Sequence, residues 1–126
     1  MTYTGNDNLF IKKVIVCTEE PGTGLTRFGF KTDSTCSGGV STTAINLNRS
    51  SAITSETTIL ENGDGTTLNV TGGFSVTTIR LAGPGTYEVG FKNAYIMSKN
   101  DSFAVNAVAA TAGTKTRATI LYFEEE

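Results

Sequence analysis

Short apolar runs and alternating apolar and polar positions, separated by Gly, Asn, Asp or Pro, recur along the whole chain. Nowhere does an apolar stripe repeat at helical spacing. The pattern predicts strands and turns, with no helix longer than one or two turns. Leu9 to Cys17 opens the series, an apolar run interrupted by Lys12 and Lys13 and closed by the loop residues Pro21-Gly22-Thr23-Gly24. Leu25 to Lys31 is the next strand, followed by a loop from Thr32 to Gly39. Val40 to Asn46 and Ser51 to Leu60 are Thr-rich and read as strands or irregular edges. Asn62-Gly63-Asp64-Gly65 is the strongest turn signal, because Asn-Gly and Asp-Gly readily take the positive φ of a tight hairpin. It is expected to pair Thr57 to Leu60 with Thr66 to Thr71.

The second half is more regular. Phe74 to Leu81 ends at Ala82-Gly83-Pro84-Gly85, and Thr86 to Met97 places Tyr87, Val89, Phe91, Tyr95 and Met97 on one face with Glu88 and Lys92 on the other. Lys99-Asn100-Asp101 turns into Phe103 to Thr111, and Ala112-Gly113-Thr114 turns into Arg117 to Phe123. The small residues from Ala104 to Ala112 favour helix by Ala propensity, but Val105, Val108 and Thr111 favour extension, and the segment is read as strand. About eight short antiparallel strands with turns at this spacing describe an all-β antiparallel β-sandwich. Tyr87, Val89, Phe91, Phe103, Val105 and Ile120 are its expected core, and burial is the expected fate of Phe28 and Phe30. A chain of 126 residues is one domain, 1–126, with residues 1–8 as an N-terminal arm.

Composition sharpens this picture. With 38% hydrophobic and 17% charged residues the chain is too apolar and too weakly charged for disorder, and Thr, its commonest residue, suits a pleated surface. A net charge of -2 with scattered basic residues makes a poor partner for nucleic acid, whose affinity rests on Lys and Arg neutralising phosphates. The chain opens without a basic start and an apolar core, so no secretory signal is read, and no segment approaches the roughly 18 apolar residues that span a membrane. The expectation is a protein made in the cytosol and kept soluble. There Cys17 and Cys36 are expected as reduced thiols, a bridge between strand ends being the alternative.

Candidate chemistry is sparse. The chain has no His, which removes the commonest general base, the nucleophile pairs that depend on it, and most metal sites. Paired carboxylates remain possible in principle, but Glu19, Glu20, Asp64 and Glu124 to Glu126 fall in loops or at the end, leaving Glu56 and Glu88 as strand acids. Gly22-Thr23-Gly24 lacks the third glycine and the helix of a dinucleotide loop, and Asn62 to Gly65 lacks the distal acid of a calcium loop. The expectation is therefore no enzyme, no cofactor and no metal.

Leu81-Ala82-Gly83-Pro84-Gly85-Thr86-Tyr87-Glu88-Val89, Asp101-Ser102-Phe103-Ala104-Val105 and Arg117-Ala118-Thr119-Ile120-Leu121-Tyr122 together resemble the last three strands of small jelly-roll proteins found on virions, the capsid decoration or cement proteins of tailed bacteriophages among them. The resemblance covers about a third of the chain and rests on patterning that other antiparallel sandwiches share. It implies a jelly-roll-like, non-catalytic structural protein on the exterior of a capsid. It also implies the major capsid protein or other virion subunits as partners, and a homo-oligomer, possibly a trimer. The alternative is a carbohydrate-binding or receptor-binding module. The terminal segments are the expected contact sites: Tyr3 can bury a ring against a neighbouring subunit, and Glu124, Glu125 and Glu126 can meet its basic groups.

Overall fold

The computed structural model describes residues 1–19, 24–45, 47, 54–62 and 66–124, and of Asn93 and Ala94 the main chain only. Among these residues the protein is all-β, with no helix and hence none long and apolar enough to cross a membrane. Eleven strands are described: β1 (Thr2–Tyr3), β2 (Leu9–Thr18), β3 (Leu25–Thr32), β4 (Thr35–Gly38), β5 (Val40–Thr42), β6 (Thr57–Glu61), β7 (Leu68–Thr71), β8 (Phe74–Ala82), β9 (Gly85–Met97), β10 (Phe103–Ala109) and β11 (Thr116–Glu124). The number exceeds the expected eight because β1 and β4, of two and four residues, fall in segments expected to be an arm and a loop.

Two antiparallel three-stranded sheets, ordered β11-β2-β9 and β10-β3-β8, share one core in a β-sandwich-like arrangement. Their alternation is legible residue by residue. Along β2, Leu9, Ile11, Val14 and Val16 point inward, and along β3 so do Phe28 and Phe30. The three-residue step from Ile11 to Val14 needs a correction to the period of two. Lys12 supplies it: it has no partner in either ladder, so a bulge there restores the inward face. The opposing step on β9 runs from Gly90 to Tyr95, five positions against two on β2. Phe103 of β10 closes the core against the other sheet, with its ring centroid 6.3 Å from Phe91 and 5.6 Å from Tyr95 of β9.

The turns lie where the sequence places them. Gly24, Gly72, Gly73, Gly83, Asn100 and Gly113 all have positive φ. At Gly73 the requirement is also steric, since a Cβ would collide with Thr32 O and Ser34 Oγ. The chain crosses between the sheets after β2, β8, β9 and β10, and leaves them for an excursion through β4 to β7. The last three strands do meet one core, but as members of two sheets: β9 and β11 flank β2, while β10 lies beside β3.

Three expectations are corrected here. The hairpin between Thr57 to Leu60 and Thr66 to Thr71 does not form. β6 spends its two edges on β5 and β1, leaving none for β7, which pairs with β4 in the segment expected to be a loop. The turn residues Gly63 to Gly65 lie outside the described residues, as do Asn46 and 51–53 of the Thr-rich strands. Tyr87 faces inward opposite Val16, yet it is 51% exposed, because it sits near the Gly83 corner on an edge strand. Val89, Phe91, Val105 and Ile120 pack around the core while Phe103 is fully buried.

The third correction concerns the N-terminal arm. Residues 1–3 are a strap of the protein's own fold: Met1 N donates to Phe103 O at 2.9 Å and Phe103 N to Met1 O at 2.9 Å. Tyr3 N donates to Asp101 O at 3.0 Å, and Asn100 N returns a bond to Tyr3 O at 2.9 Å. On its other side β1 pairs with β6, so the strap joins the β5-β6 edge to the start of β10.

Candidate interaction surface

The outward face of the β11-β2-β9 sheet carries the residues that alternate with the core positions of β2: Phe10, Lys13, Ile15 and Cys17. Register sets their neighbours. Phe10 lies between Phe123 of β11 and Ile96 of β9, and Lys13 between Leu121 and Gly90. Ile15 lies between Thr119 and Glu88, and Cys17 between Arg117 and Thr86. The Phe10 and Phe123 rings stack at 4.7 Å with an interplanar angle of 10°, and Lys12 Nζ stands 4.9 Å from the Phe123 centroid. Phe123 is 44% and Ile96 52% exposed.

One end of this face is therefore an apolar row across all three strands, and Leu121 and Ile15 extend it. Further along, the face turns polar: Lys13 Nζ pairs with Glu88 Oε1 at 2.9 Å and Arg117 Nε with Glu19 Oε1 at 3.0 Å. These exposed ion pairs add little stability but keep that half hydrated. The apolar row has no covering layer among the described residues. Its signature was present in the sequence, where each strand carries an unbroken apolar triplet at this level: Leu9-Phe10-Ile11, Tyr95-Ile96-Met97 and Leu121-Tyr122-Phe123. A strand solvated on one face alternates, whereas one covered on both faces reads as a continuous apolar run. The reading of single strands passed over this, because only register shows that the three triplets form one row.

The expected contact residues fall elsewhere. Tyr3 is fully buried in its own chain and has no surface to offer a partner, which corrects its assignment as an intermolecular anchor. Its hydroxyl makes no hydrogen bond, and Gly5 packs so closely that a Cβ there would strike the phenol and Glu56 Oε2. Burial pushes the Tyr3 phenol above its ordinary pKa, the carboxylates of Glu124, Glu56 and Asp7 add to the rise, and the Asp7 main chain opposes it without completing a hydrogen bond.

Glu124 is half-buried and held within the chain: its Oε1 accepts from Ser55 Oγ at 2.5 Å, and both its oxygens accept from Glu56 N at 3.2 Å. Ser55 and Thr57 also bond the Tyr122 hydroxyl, at 2.7 and 2.9 Å. The polar groups of this cluster satisfy one another, which leaves few free valences for a sugar. Glu125 and Glu126 lie outside the described residues. Both cysteines are free thiols on different sheets, Cys17 on β2 and Cys36 on β4. Among the described residues no three His, Cys, Asp or Glu side chains gather as a metal site. In comparisons with protein-family models, curated proteins and solved structures, none matched this chain.

Proposed function

We propose that this protein is a non-catalytic structural subunit, a decoration or cement protein that seats on the exterior of a tailed-bacteriophage capsid and stabilises it through subunit contacts. The observation that carries the reading is the Phe123-Phe10-Ile96 row on the outer face of a sheet whose inner face already holds the core. Aromatic and aliphatic side chains aligned across three strands on a solvent face are costly to hydrate, and they suit burial against another protein. The jelly-roll class is supported by nested pairing, in which β2 pairs with the last strand, β11, and β3 with the one before it, β10.

The test is co-sedimentation of the purified protein with capsids of its source phage. Phe10→Ser/Phe123→Ser is expected to lower occupancy about tenfold or more, as loss of a buried aromatic pair does at an interface centre, with the far-ultraviolet circular dichroism unchanged. Undiminished occupancy would remove the apolar row from the contact. Saturable binding on a glycan array, without capsid association, would favour the carbohydrate-binding module instead.

A further inference from the structure

The outward face of the β10-β3-β8 sheet differs from the apolar row in kind. Its positions on the central strand are Arg27, Gly29 and Lys31. Arg27 lies directly opposite Arg80 of β8 on one side and Val108 of β10 on the other, while Gly29 lies between Thr78 and Asn106. Like charges directly opposed across strands are destabilising, and neither Arg27 nor Arg80 has an ion-pair partner among the described residues. Lys31 Nζ has only a long bond, 3.4 Å, to Gly72 O. Asp33, the nearest acid along the chain, lies past the end of β3 at positive φ and pairs with none of them.

Gly29 adds a second, independent oddity. Glycine in the middle of a central strand weakens it, yet nothing in the fold asks for one here. Its φ is not positive, and the nearest atom to a built Cβ is Asn106 O at an ordinary 3.9 Å. Position 29 thus has room for a side chain and lacks one. The result is a bare strip of main chain between two guanidinium groups and an ammonium about 13 Å further along the strand, flanked by Thr78 and Asn106 as hydrogen-bonding groups. An approaching backbone could lie on this strip while its carboxylates meet the three cations.

We infer that this face receives the acidic C-terminal end of a second copy of the chain, Glu125 and Glu126, which follow the internally bonded Glu124 in sequence. The inference rests on the assembly reading above and deepens it by naming a contact between copies. Charge complementarity selects the occupant. A long polyanion would meet the field of twelve acidic residues on a chain of net charge -2, whereas a short cluster of glutamates matches three cations. The donor and acceptor patches differ, so the contact is heterologous and runs head to tail, closing into a ring where the rotation permits. Salt weakens it.

Sedimentation of the full chain at low and high salt tests this directly. The wild type is expected to associate at low salt and dissociate at high salt. Arg27→Glu/Arg80→Glu and Glu125→Lys/Glu126→Lys are each expected to be folded monomers, with self-association weakened about tenfold or more. An equimolar mixture of the two is expected to associate again, since each supplies what the other has lost. Gly29→Val serves as a variant free of charge effects: a β-branched residue suits a strand and has room, so thermal stability is expected to hold while association is lost. A wild type that is monomeric at every concentration, a variant that associates as well as wild type, or a mixture that stays monomeric would overturn the inference. A monomer that still binds capsids removes this contact and leaves the decoration reading standing, whereas an associating chain that ignores capsids does the reverse.

Discussion

Tyr3 shows how one side chain can serve the core and burden it at once. Its ring fills space between the strap and the sheets, but its hydroxyl is buried without a hydrogen bond. An orphaned hydroxyl of this kind costs about 1–3 kcal/mol of desolvation. Tyr3→Phe keeps the ring and removes the orphan, so it is expected to be as stable as wild type or more stable by about 1 kcal/mol at neutral pH. A loss beyond about 1 kcal/mol in urea denaturation would mean that the hydroxyl is bonded after all. The raised pKa makes a second, linked prediction. In the unfolded chain the phenol ionises near pH 10, whereas in the fold it stays protonated above that. The folded state therefore binds more protons in that window, and stability is fully present below about pH 10 and falls as pH rises through the folded value. Tyr3→Phe should lose this alkaline slope.

Among the elements, β1 is the smallest and one of the most consequential. Two residues long, it bonds β6 on one side and the start of β10 on the other, and it carries the buried Met1 and Tyr3 with it. Removing residues 1–8 therefore deletes a buried aromatic and exposes two strand edges together. The expected loss exceeds the about 3–5 kcal/mol of a single core aromatic truncation, read as a large fall in thermal midpoint with isolated protein. A loss under about 1 kcal/mol would restore the segment as a detachable arm reaching to a neighbour. β2 stands at the opposite extreme. It is the central strand of its sheet, apolar on its inner face and at one end of its outer face, and the bulge at Lys12 keeps both patterns in register.

For the molecule as a whole, the central strands come first in the chain and several of their partners last. β2 waits for β9 and β11, and β3 for β8 and β10. Loop closure over such separations must be met before pairing rewards it, so folding is expected in milliseconds to seconds. Stopped-flow refolding complete within microseconds would contradict this topology. Until β9 and β11 arrive, β2 exposes both edges of an apolar strand, the condition that favours aggregation. The two outer faces of the finished sandwich then differ: one has an apolar row, the other three cations around a bare strip.

The local pattern of the chain was enough to locate β2, β3, β8, β9, β10 and β11 to within a residue or two, together with the turns at Gly72-Gly73, Gly83-Pro84, Asn100 and Gly113. It also separated the Ala-rich β10 from a helix. These are properties of neighbouring residues: alternation, turn geometry and β-branching act over a few positions. Pairing and burial are not of that kind. That β6 would join β1 and β5 and leave β7 to β4 depends on which edges remain free once other strands have docked. That Tyr3 is inside and Tyr87 half outside depends on what lies across the core from each. Phe10, Phe123 and Ile96 are far apart in sequence and become one row only through the register of three strands, and Arg27 and Arg80 become an unopposed pair in the same way. The surface that carries the proposed function and the one that carries the further inference are both products of register, and register is set by contacts between distant segments.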